Sequence, residues 1–138
     1  MAVRRRKVKR FVIDVNTYVA IFINGETEWL VQYVIQNKIE LFVDSNLMEE
    51  LLRVLDYPRI KKRLHLGKHI YANFVLLIST PIIASPFQVN SPDKEDNYLY
   101  DIALTAHAKL LVTGEKALLN WGKSPVKTIN LATFKKLF

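Results

Sequence analysis

The 138-residue chain contains no cysteine. That absence removes thiol nucleophiles, redox pairs, disulfide frameworks and cysteine-ligated zinc together. No stretch approaches ~18 uninterrupted apolar residues, so a membrane-spanning helix is not expected. A basic start followed by the apolar stretch Phe11 to Ile23 has the outline of an export signal. However, Asp14 and Asn16 interrupt the stretch and no small-residue cleavage site follows, so a cytoplasmic location is expected. Internal repeats, linkers and low-complexity segments are also missing. Half of the residues are apolar, and a chain of this length buries roughly two thirds of its unfolded surface. The expectation is one domain, 1–138, with a core that needs no metal or disulfide to hold it.

Acidic residues are the minority, 13 against 20 Lys plus Arg, for a net charge of +7. The excess is local. Arg4, Arg5, Arg6, Lys7, Lys9 and Arg10 form a basic arm over residues 1–10, and without those six the remaining bases and acids nearly balance. Such an arm can reach phosphates by releasing counterions, or can simply solubilise the chain. A second group, Arg59, Lys61, Lys62, Arg63 and Lys68, is expected on a solvated helix face, with Lys61, Lys62 and Arg63 as further candidate RNA contacts.

Short apolar runs alternate with helical patterns along the chain. Strands are predicted at Phe11–Ile13, Ile39–Val43, Ile82–Ala84, Leu110–Val112 and Val126–Ile129. Between them, helical spacing covers the segment after Asp14, then 26–36, 45–55, and 59–79 with a break at Gly67. It resumes over 93–108, briefly around Leu118 and Leu119, and over 131–137, where Phe134 and Phe138 are expected to face the core. Fully apolar strands separated by helices imply a mostly parallel, about five-stranded sheet inside a three-layer α/β/α sandwich. Functional sites in such sheets form beyond the carboxyl ends of the strands.

The acids fall at that edge. Asp14 directly follows the first apolar run. Glu49 and Glu50 lie in the first turns of the helix after the second strand, and Glu50, next to Leu51, borders the buried stripe. Asp93, Glu95 and Asp96 open a later helix, and Glu115 follows the fourth strand with the Thr113 hydroxyl two residues earlier. Carboxylates at a helix start are commonplace caps. Their recurrence at one edge is less so, because two carboxylates ~5 Å apart repel by roughly 3 kcal/mol at an effective dielectric of 20. A divalent cation offsets that repulsion. An all-oxygen ligand set favours Mg²⁺ or Mn²⁺ over zinc, and His65, His69 and His107 do not supply a zinc-binding pattern.

Four segments carry a resemblance that spans nearly the whole chain: FVIDVNTYV, VDSNLMEELLRVLDYPRI, SPDKEDNYLYDIALTAHAKLLVTGEKALL and VKTINLATFKKLF. In them the chain resembles the PIN-domain ribonucleases, particularly the toxins of toxin–antitoxin pairs. The resemblance implies a nuclease whose carboxylates hold one or two Mg²⁺ or Mn²⁺ ions. Residue by residue, it carries catalytic and metal-binding roles onto Asp14, Glu50, Asp96 and Glu115, and supporting roles onto Asn16, Asp93 and Thr113. It also implies an RNA substrate, a possible antitoxin partner and a possible homodimer. Glu115 stands where Asp is usual, and Ala117 where a further Asp often occurs. Those departures feed an alternative, a degenerate PIN-like domain that binds RNA or a partner without cutting. A lesser alternative is a haloacid-dehalogenase-like phosphatase with Asp14 as nucleophile, which lacks the second Asp at Asn16 and a cap-sized insertion. Asp101 lies five residues past Asp96, about 140° around a helix, and is expected to face elsewhere.

Overall fold

A computed structural model describes residues 8–138. The chain runs β1 (Lys9–Ile13), α1 (Val15–Ile23), α2 (Thr27–Gln36), β2 (Ile39–Val43), α3 (Ser45–Leu55), α4 (Pro58–Lys61), α5 (Lys68–Ile78) and β3 (Ser79–Pro81). A 3₁₀ turn (Lys94–Asp96) leads into α6 (Asn97–Thr105), followed by β4 (Leu110–Val112), α7 (Lys116–Leu119), β5 (Lys127–Ile129) and α8 (Leu131–Lys135). All five strands are parallel, in the order β3-β2-β1-β4-β5. Phe11, Val12 and Ile13 are all buried. Because successive strand residues point to opposite faces, helices must cover both sides of β1, the layered α/β arrangement expected from the apolar runs.

Local chemistry sets the element boundaries. Asp14, Asp44 and Asn130 each accept a backbone N–H three residues on, starting α1, α3 and α8. Pro58 occupies the first position of α4, and the break in the 59–79 pattern is wider than one glycine, spanning residues 62–67 up to Gly67, which precedes α5. α8 drives Phe134 into an aromatic cluster with Phe11, Trp29 and Tyr33, with ring centroids 5.1–6.2 Å away.

Three expectations are corrected. The third strand is Ser79–Pro81 rather than 82–84, because α5 delivers the chain to the sheet as soon as it ends at Ile78. Ile82 still donates to Val43 O (2.8 Å), but Ile83 is 95% exposed, an apolar residue outside the core. The 93–108 helix is shorter at both ends. Its acidic start is the 3₁₀ turn, and beyond Thr105 the chain reverses through His107 at φ +53°. Phe138 is half exposed and stacks on Phe11 at 6.5 Å instead of entering the core as Phe134 does.

The strand order positions the site. From β1 the chain adds β2 and β3 on one side, then crosses to add β4 and β5 on the other. The reversal leaves a crevice at the carboxyl ends of β1 and β4.

Candidate active site

β1 and β4 each deliver a buried polar side chain to that crevice. Asp14, directly after β1, is 4% exposed. Its Oδ1 accepts the Thr17 N–H at 2.8 Å, and its Oδ2 accepts the Thr113 hydroxyl at 2.5 Å. Thr113 directly follows β4 and is fully buried. Its Oγ1 also accepts the Glu115 N–H at 3.1 Å. The hydroxyl has a single proton, which goes to Asp14, while its lone pair shapes the turn that presents Glu115.

The loop before α6 brings the remaining carboxylates. Ser91, itself buried, donates its N–H to Asn97 Oδ1 (3.1 Å) and its hydroxyl to Asp93 O (2.5 Å), closing the loop onto the helix start. Asp93 Oδ1 accepts the Glu95 N–H at 3.0 Å, and Asp93 O accepts the Asp96 N–H at 3.1 Å. The turn thus holds Asp93 and Asp96 together opposite Glu115. One carboxylate oxygen from each of Asp93, Asp96 and Glu115 lies within 4.8 Å of the others.

This group is short of positive charge. Among the described residues, the buried Asp96 Oδ2 has no hydrogen-bond partner. Burial, then the adjacent Glu115 carboxylate and the charges of Asp93 and Asp14, push the Asp96 carboxyl from its ordinary 3.8 up to about 8. Burial also raises the Asp14 carboxyl, opposed by its hydrogen bonds to Thr113 and Thr17. An orphaned buried acceptor among crowded carboxylates, all oxygen donors, fits a hard divalent cation.

Glu50 stands apart from the compact triad. α3 buries Leu47, Leu51, Val54 and Leu55, and Glu50 borders that stripe, ion-paired with Arg53. It lines an open cleft of about 530 Å³ together with Asn46, Glu49, Arg53, Lys94, Glu95 and Tyr98. Tyr98 lines the same cleft, and burial first, then the charges of Glu50, Asp96, Asp14 and Asp44, raise its phenol well above the ordinary range. Glu49 opens onto the same cleft but is the more exposed of the pair.

The other sequence candidates are spread out. Asn16 is exposed and lines a shallow hollow of about 140 Å³ with Gly114, beside the Thr113–Glu115 turn. Asp101 points away from the site, accepting the Phe87 N–H at 2.9 Å. Lys61, Lys62 and Arg63 are exposed at the far end of α3, whose eleven residues span about 16 Å. Arg4, Arg5 and Arg6 lie outside the described residues. Sequence reasoning singled out Tyr98 and Tyr100 beside the site helix but missed Asp44 as a candidate at this edge. Asp44 is buried at the end of β2 as Asp14 is at the end of β1, so the same edge rule could have selected it. Tyr98 occupies the cleft, whereas Tyr100, its companion in sequence, is fully buried.

With Asn16 standing where a second acid would be needed beside Asp14, the phosphatase alternative is set aside. Among the described residues, no helix is long and apolar enough to cross a membrane. No curated protein matches the chain in sequence. A family model, described as PIN domain, matches residues 10–117, from β1 through the Thr113–Glu115 turn into α7. The chain therefore belongs to the PIN-domain family, whose members are typically nucleases that use divalent metals.

Proposed function

We propose that residues 1–138 act as a single-domain, metal-dependent endoribonuclease that hydrolyses RNA phosphodiester bonds with Mg²⁺ or Mn²⁺. The observation that carries this reading is the Asp93–Asp96–Glu115 group with its unpartnered Asp96 oxygen, next to an Asp14 that Thr113 holds in place.

Asp93, Asp96 and Glu115 would hold the ion, with Asp14 beside them and Glu50 entering from across the cleft. When bound, such an ion supplies Lewis acidity toward a phosphodiester and makes water a competent nucleophile near neutral pH. The chain's own contribution is orientation. The Thr17 N–H and the Thr113 hydroxyl fix the Asp14 carboxylate in one rotamer. The Ser91–Asn97 contacts fix the turn bearing Asp93 and Asp96, and the Thr113–Glu115 bond fixes the third acid. Tyr98, kept neutral by its surroundings, offers a phenol O–H at the cleft wall where a substrate oxygen can accept it. Water would add to phosphorus as the bond to the 3′ oxygen breaks, so the expected products carry a 5′-phosphate and a 3′-hydroxyl.

The finer reading is the toxin of a toxin–antitoxin pair, with a cognate antitoxin and a homodimer as its partners. A second reading, a non-cutting PIN-like domain, is favoured by one observation. Ala117, where a further acid often stands, is exposed and contributes no ligand. The test is incubation of a mixed RNA pool with purified protein and Mn²⁺, Mg²⁺ or EDTA, with analysis of the new ends. Metal-dependent fragments bearing 5′-phosphates are expected. Intact RNA under all three conditions, with no heat of Mn²⁺ binding, would favour the non-cutting reading. Growth arrest on expression, relieved by the neighbouring gene product, would test the toxin assignment.

A further inference from the structure

The sheet is electrically polarised. Its carboxyl edge carries the acids described above, and its opposite edge is entered almost everywhere through a cation. Lys38 precedes β2, Lys9 and Arg10 begin β1, Lys109 precedes β4 and Lys127 begins β5.

These positions are neighbours across the sheet. Lys9 N–H donates to Lys38 O (3.0 Å), Lys109 N–H donates to Arg10 O (2.8 Å), and Lys127 lies in register with Leu110. Arg10 and Lys109 are level on adjacent strands, with Lys38 two residues earlier on one side and Lys127 one residue further on the other, so the four cations form a staggered band across four strands spaced about 4.8 Å apart. All four are exposed, and none forms an ion pair among the described residues. Lys9 is less available, since its ammonium donates to Asn37 O (2.9 Å) and lies over the Phe138 ring. Arg10 gives one N–H to Ala106 O (3.1 Å) and keeps its other donors. Arg10, His107, Lys109 and Val8 line a concavity of about 280 Å³ at the centre of the band. The acid nearest in register is Glu40, opposite Arg10, and its carboxylate accepts from Thr80.

We infer that this edge is a second, non-catalytic binding site for the phosphate backbone of nucleic acid, an anchor on the pole opposite the carboxylate group. A band of exposed, unpaired cations binds a polyanion by counterion release, without reading sequence. The band also answers an electrostatic difficulty, because the carboxylate edge by itself repels the backbone it is to cut. Five residues of β1 separate the two poles by about 17 Å at 3.3 Å per residue, so one strand of modest length can reach both. The inference rests on the nuclease reading only in naming RNA as the polyanion.

The test reads binding rather than cleavage, so its failure and the failure of the nuclease reading are distinguishable. A fluorescein-labelled 20-nucleotide RNA is titrated in EDTA, over a series of salt concentrations, with the wild type and with the Lys38→Ala/Lys109→Ala/Lys127→Ala variant. These side chains are exposed, and an unchanged melting temperature verifies the fold. The expected result is at least tenfold weaker binding at low salt and a salt slope shallower by about 2, at roughly 0.7 per single-strand phosphate contact. Equal affinity and slope for the two proteins would overturn the proposal. Loss of binding to phosphatidylserine vesicles with RNA binding intact would also overturn it, assigning the edge to a membrane surface instead.

Discussion

Thr113 Oγ1 lies 2.5 Å from Asp14 Oδ2, joining residues 99 positions apart across the switch point of the sheet. The same oxygen accepts the Glu115 N–H, so one buried hydroxyl sets the orientation of an acid on each side of the crevice. Thr113→Val keeps the shape and removes both bonds. Leaving a buried acceptor and a backbone donor short of partners costs about 1–3 kcal/mol. Thermal denaturation should show that loss, and cleavage should fall at least tenfold. A Thr113→Val variant with unchanged melting temperature and activity would show that the hydroxyl orients nothing.

Asp96 is a burden to the metal-free protein. Its carboxyl is pushed up to about 8 by burial and by Glu115, so at pH 8 part of the population carries a charge that the fold resists. Asp96→Asn presents a neutral group of the same size. At pH 8 in EDTA this variant is expected to melt at or above the wild-type temperature, yet to gain little from 1 mM Mn²⁺. Equal Mn²⁺ stabilisation of both proteins would remove Asp96 from the proposed ligand set.

The same shift gives the metal-free protein a pH dependence of defined sign. Asp96 binds its proton more tightly in the folded chain (about 8) than in the unfolded one (near 3.8). Its contribution is therefore complete below pH 4 and disappears as pH rises through 8. Asp14, raised by burial, acts in the same direction. The exposed Asp56, lowered by Lys68, acts in the opposite direction at low pH and is screened by solvent. Asp96 should thus make stability in EDTA fall between about pH 4 and pH 8 and level off above that. A bound cation requires the ionised carboxylates, so stabilisation by Mn²⁺ should be larger at pH 8.5 than at pH 5.5. Melting curves at four pH values with and without Mn²⁺ check both signs.

Glu50 and Glu49 open onto one cleft, but Glu50 is the more buried and the one paired with Arg53. Glu50→Gln should reduce kcat at least tenfold, while Glu49→Gln should change it less than threefold. Because the Glu50–Arg53 pair is half exposed, losing it should alter stability by under about 1 kcal/mol. The reverse ranking of the two variants would exchange their roles.

Where a residue's place in the fold follows from its position along the chain, the sequence was enough to put it there. Asp14 after β1, Glu115 after β4 and the acids before α6 could all be placed on one edge, because fully apolar strands alternating with helices leave few other arrangements. What depends on the path of a loop was not legible. That Asp93 joins Asp96 and Glu115 while Glu50 stays across the cleft is decided by Ser91 and Asn97 closing a turn, a contact with no periodicity to announce it. The third strand was displaced for a related reason. Ile82, Ile83 and Ala84 have strand composition, but α5 ends early enough for Ser79–Pro81 to take the edge position. Asp44 was hidden by its second role, since a helix cap explains an Asp at that point without any site.

The central claim is that Asp14 and Asp96 organise a metal-dependent RNA-cutting centre, and the direct measurement is cleavage of one end-labelled RNA by wild type, Asp14→Asn and Asp96→Asn, each with Mn²⁺ and with EDTA. Cutting by the wild type in Mn²⁺ alone, lost in both variants while their folds persist, is the predicted result. Cutting that survives either substitution, or that proceeds equally well in EDTA, would contradict it.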